Sequence, residues 1–354
     1  MTTPLAPKST ALSARGNAAS GGGFRARSLP SGAATSVNNH VAELRHVAET
    51  KLNAQFPVQN EFRIEATSGE TFSPSRICRL THNFQHHPLM ELRSLRRLAK
   101  SFEDTKHCRF VKQRLTATSA FDHHSADPNG RRIDQVFDEI QTPGSWIALY
   151  DIQDDPEYRR LLWMAIGTAL PMINPSEKII SVQGHVFISA PPSLTPFHID
   201  RESNFWLQIR GQKSMHLWDR MDREVVAAPE LESFIAYRSL EKIRLKESFR
   251  NRSLHYSCRA GDGAYMPSTT PHMTFSEDDE APGNALSISL SVTFYSNVTR
   301  RSNYVHVANS VLRRLNINPT PAGVDILRDR MKYPLGRAIV AAKILRGYSP
   351  PAGF

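Results

Sequence analysis

TPFHIDRESNFWLQIRGQK, Thr195 to Lys213, is the stretch from which the rest of the chain can be ordered. His198 and Asp200 stand two residues apart, so on an extended segment both side chains point to one side and can reach one ion. With 14 histidines in the chain, chance alone supplies on the order of one His-x-Asp triplet, and an isolated match reads as a solvated loop pair. The second block decides otherwise. Gly261-Asp262-Gly263-Ala264-Tyr265-Met266-Pro267 reads as a Gly-Asp turn, a short strand and a proline stop, and that strand is expected to deliver His272. Two histidines and one carboxylate make a facial triad, which leaves three positions open on an octahedral Fe(II). Nitrogen and oxygen donors without a thiolate suit that ion better than structural zinc.

Lys213 follows His198 by fifteen residues and shares a strand face with Met215 and Leu217. A lysine aimed into an apolar barrel needs an anion, because an unpaired buried ammonium is prohibitive. Taken alone, Lys213 could equally keep its head in solvent at a turn.

Outward from this stretch the hydrophobic period identifies the elements. Ile179–Ser189, Asn204–Ile209, Lys213–Trp218, Leu254–Cys258 and Ala285–Tyr295 are short β-rich runs broken by Gly, Pro and polar turns. Successive strands without intervening helices predict an antiparallel barrel or jelly roll. Helical spacing predicts helices over Val37–Ala54, after Pro88, over Asp154–Leu170, and at the C-terminal end over Tyr304–Leu315, Val324–Lys332 and Leu335–Leu345. The expected organisation is a disordered tail over 1–36, a helical or mixed extension over 37–177, a catalytic core over 178–296 and a basic helical segment over 297–354.

The net charge of +10 resides at the ends: residues 1–42 carry +4 and residues 297–354 carry +8, leaving the middle at about −2. A neutral middle argues against a nucleic-acid substrate, whose phosphates would put cationic residues around the catalytic mouth. Cys78, Cys108 and Cys258 are three widely separated cysteines, which encode neither a disulfide framework nor a thiolate zinc site. No run of 18 apolar residues and no apolar signal segment occurs, so the expected location is the cytoplasm. The Arg-rich first residues also have the composition of an organellar transit peptide, without its amphipathic stripe. His82, His86, His87, His123 and His124 lie in polar segments outside the β-rich region and read as surface residues.

The stretch from Thr195 to Lys213, with Gly261 to His272 and SLSVTFY at Ser289 to Tyr295, resembles the JmjC (cupin-like) oxygenases, most closely the branch containing the asparaginyl hydroxylase of the hypoxia-inducible factor. The likeness runs from Leu80 to Tyr295, about 60% of the chain. It implies a double-stranded β-helix with an N-terminal α/β extension and C-terminal helices. It also implies Fe(II) on His198, Asp200 and His272, with 2-oxoglutarate as cosubstrate in a pocket lined by Thr195, Asn204 and Lys213. Five positions depart from the branch: Thr293 replaces an Asn that touches the cosubstrate, Thr270 and Pro271 replace an aromatic pair, Trp206 a smaller aromatic, and His185 an aliphatic residue. These changes bear on the pocket's shape and substrate more than on the metal chemistry.

The function implied is hydroxylation of a C–H bond with release of succinate and CO2; the alternatives are a demethylase of the same type and a cupin that binds metal or a small molecule without oxidising it. The substrate stays open among peptide, amino acid and small molecule. The basic C-terminal helices are expected to serve as packing or homodimer helices, with an acidic partner or an anionic membrane surface as the alternative.

Overall fold

Polar and apolar residues alternate strictly along Ser287–Tyr295, and both faces of that strand are buried. The computed structural model, which describes residues 61–103, 107–111, 132–276, 286–350 and 353–354, explains why. Four short strands come first: β1 (Ile64–Ala66), β2 (Cys78–His82), β3 (Cys108–Val111) and β4 (Trp146–Leu149). Eight follow: β5 (Ile179–Ser189), β6 (Ser193–His198), β7 (Ser203–Arg210), β8 (Gln212–Leu217), β9 (Leu254–Arg259), β10 (Asp262–Met266), β11 (His272–Ser276) and β12 (Ser287–Ser296).

Those eight alternate between two sheets. β5, β12, β7 and β10 are consecutive in the larger sheet, while β6, β11, β8 and β9 form the smaller one, and all pairings are antiparallel. A chain that crosses between two facing antiparallel sheets in this order is a double-stranded β-helix, a jelly roll whose two sheets enclose a lumen. β1 and β2 widen the larger sheet beyond β10, and β4 and β3 widen it beyond β5.

The helices decide which face of each sheet is dry. α1 (Leu92–Ser101), α2 (Ile133–Asp138) and α3 (Pro156–Ala169) share one apolar core with the outer face of the larger sheet, where Phe205, Leu207, Ile288, Leu290, Val292 and Phe294 point. Gly184 makes the close approach of α3 possible, since a Cβ there would fall 2.5 Å from a Leu162 methyl. α4 (Ala228–Tyr237), which hydrophobic spacing did not reveal, covers the smaller sheet, packing Leu231, Phe234 and Ile235 on Phe197, Ile199, Trp218 and Met273. Trp206, Met215, Leu217, Tyr256, Cys258, Ala264 and Met266, from β7, β8, β9 and β10, form a further apolar cluster.

β12 runs directly into α5 (Asn297–Arg314): Ser296 ends the strand and caps the helix, its Oγ accepting from Val298 N and Thr299 N. α6 (Ile326–Ile344) corrects the expectation of two helices separated at Pro334, because the proline lies inside one continuous helix. Pro334 is on the exposed side of that helix. Two residues on, Gly336 seats α6 against α5. The carboxylate of Glu232, fully buried on α4, accepts from Arg313 Nε (2.6 Å) and Asn309 Nδ2 (3.2 Å) on α5.

All three cysteines are free. His82 is buried, not a surface residue: its Nδ1 accepts from Phe84 N and its Nε2 meets Asp262 O, and burial pulls it down to about 4. The tail over 1–36, the helix expected over Val37–Ala54, and His123 and His124 lie outside the described residues. No helix among the described residues is long and apolar enough to cross a membrane.

Candidate metal centre and cosubstrate pocket

His198 ends β6 and His272 begins β11, and the two are direct cross-strand partners. The short strand ended by Pro267 is present as β10, but it does not itself deliver His272. β10 stops at Met266 in the larger sheet, and His272 opens a new strand in the smaller one. The turn between them does the positioning. Thr269, at φ 67°, donates its N–H to Asp200 O (2.8 Å), and Ser268 Oγ donates to Arg201 O (2.7 Å). The segment carrying Asp200 is thereby clamped beside His272.

β6 also carries a bulge. Thr195 pairs with Thr274 and His198 with His272, so three steps on β6 match two on β11. An extra residue reverses the alternation of a strand. As a result Thr195, His198 and Asp200 all line the cavity, while Phe197 and Ile199 turn outward into the core under α4.

Donor atoms of His198, Asp200 and His272 lie within 4.8 Å of one another, with His272 Nε2 3.6 Å from Asp200 Oδ2. Among the described residues this is the one cluster of three or more such side chains able to hold a metal. Both imidazoles are oriented the same way: His198 Nδ1 contacts Pro196 O (2.7 Å) and His272 Nδ1 contacts Thr270 O (3.0 Å). A carbonyl accepts only from a protonated nitrogen, so each Nε2 keeps its lone pair for a metal.

The cavity, about 670 Å³, extends from this cluster into the lumen. Cross-strand rows on β5, β12 and β7 give its levels: Gln183–Thr293–Asn204 is one, then His185–Ser291–Trp206, then Phe187–Ser289–Gln208, and finally Ser189–Ser287. Lys213 reaches the last level from the opposite sheet, with Nζ 3.2 Å from Ser189 Oγ. It is 3% exposed, not solvated at a turn, and burial lowers its ammonium to about 8. An ammonium has three hydrogens to donate, and one hydroxyl leaves it short of acceptors. Ser289 Oγ and Asn204 Oδ1 are likewise buried without a partner among the described residues, while Asn204 Nδ2 donates to Ser291 Oγ (3.2 Å). A cavity with a cation and unsatisfied polar atoms at depth, and metal donors above, fits an elongated dianion that also chelates the metal.

Each residue expected in the pocket lines this cavity: Thr195, Asn204, Lys213, Trp206, His185 and Thr293. Trp206 is 4% exposed and also belongs to the apolar cluster with Met215 and Met266; Thr293 Oγ1 donates to Gln183 O (3.4 Å). Residue spacing gave no reason to select Asp151, Gln183, Glu202, Ser189, Ser289 or Tyr295, which also contribute to the cavity or to Lys213. Glu202 sits beside Asp200 and Tyr295; burial, then the Asp200 charge, push its carboxyl above the ordinary range.

The class that fold and site define is a double-stranded β-helix with a two-histidine, one-carboxylate metal centre. No protein-family model and no curated protein matches the chain. Among solved structures it is similar to YcfD, a ribosomal oxygenase from Escherichia coli, in complex with cobalt and 2-oxoglutarate, at 13% identity over 83% of this chain and 70% of that one, with a TM-score of 0.39. It is also similar to SnoK, a non-heme alpha-ketoglutarate-dependent carbocyclase from nogalamycin biosynthesis (16% identity, 42% and 63% coverage, TM-score 0.31). A third is the DMSP lyase DddQ from Ruegeria pomeroyi DSS-3 (14% identity, 32% and 39% coverage, TM-score 0.20).

Proposed function

We propose that the protein is an Fe(II)- and 2-oxoglutarate-dependent oxygenase of the JmjC (cupin-like) type, in the hydroxylase branch, which converts a substrate C–H bond to an alcohol. The observation that carries this reading is the pairing of Lys213, buried and short of acceptors, with the His198–Asp200–His272 cluster in one cavity. A structural metal site has no use for a buried cation deep in its own cavity.

In this reading His198, Asp200 and His272 hold the iron, and Lys213 with Thr195 takes the distal carboxylate of 2-oxoglutarate. Asn204, Thr293 and His185 surround its metal-binding end, and Trp206 forms the wall. Iron, 2-oxoglutarate and dioxygen together supply the two-electron oxidation, with succinate and CO2 as co-products. The chain's own contribution is to fix the donors, exclude water below the metal and hold the substrate carbon near it. The substrate is a peptide, an amino acid or another small molecule.

The deciding experiment is an anaerobic visible spectrum with Fe(II) and 2-oxoglutarate. A charge-transfer band is expected in the wild type, absent in His198→Ala, and attained only at higher 2-oxoglutarate in Lys213→Ala. Bound iron without a band in the wild type would make the chain a metal-binding cupin. Formaldehyde in place of a stable alcohol product would make it a demethylase.

The cytoplasm is the proposed location, in keeping with three free cysteines. The proposed assembly is a homodimer through α5 and α6, because α6 exposes Ile326, Leu327, Met331 and Leu335. No nucleic-acid partner is proposed.

A further inference from the structure

One wall of the cavity contains a residue held in an unusual backbone conformation. Asp151, just beyond β4, has φ 52° and ψ 42°, in the left-handed region that Asp tolerates better than most side chains. That conformation directs its backbone N–H to His185 Nδ1, at 3.2 Å. The Asp151 carboxylate is gripped from two sides, Oδ1 accepting from Gln153 Nε2 (3.1 Å) and Gln183 Nε2 (3.3 Å). Gln153 is itself anchored, its Oε1 accepting from Gly184 N (3.0 Å). Tyr150 stands edge-on to the His185 ring, with centroids 5.4 Å apart.

A backbone N–H can only donate, so His185 Nδ1 must offer a lone pair. The neutral ring then carries its proton on Nε2. Burial lowers the pKa of His185, which keeps the ring neutral. A histidine placed only for packing needs no such arrangement around its other nitrogen. His185 lines the cavity and shares a cross-strand row with Ser291 and Trp206, one level below Asn204 and far above Ser189, where Lys213 ends. Strain that is retained beside a binding site is often retained for what it positions.

Resting on the oxygenase reading above, we propose that Asp151 is a positioning residue that fixes His185 as an Nε2–H donor to an oxygen at the metal-binding end of 2-oxoglutarate. His185 therefore contacts the cosubstrate, and Asp151 acts through it. An aliphatic residue at this position would supply volume without a donor.

The test uses two substitutions of nearly equal size, His185→Gln and His185→Met, in the full chain. Each is titrated anaerobically with 2-oxoglutarate in the presence of Fe(II), reading the charge-transfer maximum and the dissociation constant. Loss of a hydrogen bond to a charged acceptor weakens binding roughly tenfold, so the Met variant is expected to bind about that much more weakly with a displaced band. The Gln variant, which restores a donor at similar reach, is expected within about twofold of wild type by the same reasoning. Wild-type behaviour in both variants would overturn the contact.

A second measurement needs neither metal nor cosubstrate. Long-range ¹H–¹⁵N spectra of the imidazoles, with His185 assigned by its loss in the Gln variant, should show an Nε2-protonated ring in wild type and a mixture in Asp151→Ala. A ring protonated on Nδ1 in wild type, or unchanged in Asp151→Ala, would overturn the role of Asp151. If wild type bound iron but gave no band at all, the oxygenase reading would fail first and the His185 contact with it. A normal wild-type band with an unaffected Met variant would remove only the contact.

Discussion

His198 and His272 face each other across β6 and β11 with ring centroids 4.1 Å apart, and each sets its Nδ1 against the carbonyl two residues before it, Pro196 in one case and Thr270 in the other. The local backbone therefore orients both rings before any metal arrives. A preoriented pair binds without first restricting two side chains, which favours affinity.

The first prediction concerns the metal. Loss of an outer partner of a ligand typically weakens metal affinity 10–100-fold, so His198→Ala, Asp200→Ala and His272→Ala should each exceed roughly 100-fold. Ferrous or manganous ion at about 100 times its dissociation constant should stabilise the wild type by about 2.7 kcal/mol and each of the three variants by less than about 0.4 kcal/mol. Thermal melts with and without a chelator report both effects.

Lys213 makes a pH prediction. Burial lowers its ammonium from 10.5 in the unfolded chain to about 8 in the fold, so between those values the unfolded chain holds more protons. The metal-free protein should thus gain stability from Lys213 as pH rises through that window, by an amount on the order of 3 kcal/mol. Lys213→Met should be more stable than wild type below about pH 8, with the difference shrinking above it. Cosubstrate binding has the opposite sign, because a carboxylate needs the ammonium: 2-oxoglutarate affinity should fall above about pH 8 in wild type and stay flat in the Met variant. Denaturant melts and anaerobic titrations over pH measure the two slopes.

Gly336 tests the seat of α6. A Cβ there would lie 1.9 Å from Tyr304 O, a backbone atom that cannot rotate away. Gly336→Ala should destabilise the protein by about 1–3 kcal/mol, the range for overpacked contacts, and leave iron affinity unchanged. A melting curve and a metal titration separate the two.

The exposed apolar residues of α6 give the last prediction. Met331 is 71% and Leu327 68% exposed. If that face joins two copies, Leu327→Glu with Met331→Glu should convert a dimer to a monomer in light scattering while the charge-transfer band persists. An unchanged molecular mass would remove the homodimer from the proposed function.

The candidate metal cluster and Lys213 were legible along the chain because their chemistry is local. His198 and Asp200 are two residues apart, Lys213 follows on the next strand but one, and β5 was bounded to the residue by its hydrophobic run. Ala285–Tyr295 was legible as a β-rich run, and SISLSVTFY within it alternates polar and apolar residues. Which of its two faces is the inner one was not legible: the serines face the lumen and the apolar residues face outward, because α1, α2 and α3 cover the outside of the larger sheet. Alternation reports a difference between faces, and only the neighbours decide which is dry.

The same limit governs the site. A bulge on β6 brings Thr195 and His198 to one side although they are three residues apart, and a turn at Thr269 separates His272 from the strand thought to carry it. Asp151 reaches the cavity through a left-handed turn at the end of β4, remote in sequence from every ligand. The sequence by itself determined the metal-binding residue types, the lysine and the β-rich order of the core, since these depend on side-chain chemistry and short spacing. Tertiary structure alone decided which hydroxyl meets Lys213 and which nitrogen of His185 carries the proton. Both are set by backbone groups and side chains from strands that meet only when the two sheets close.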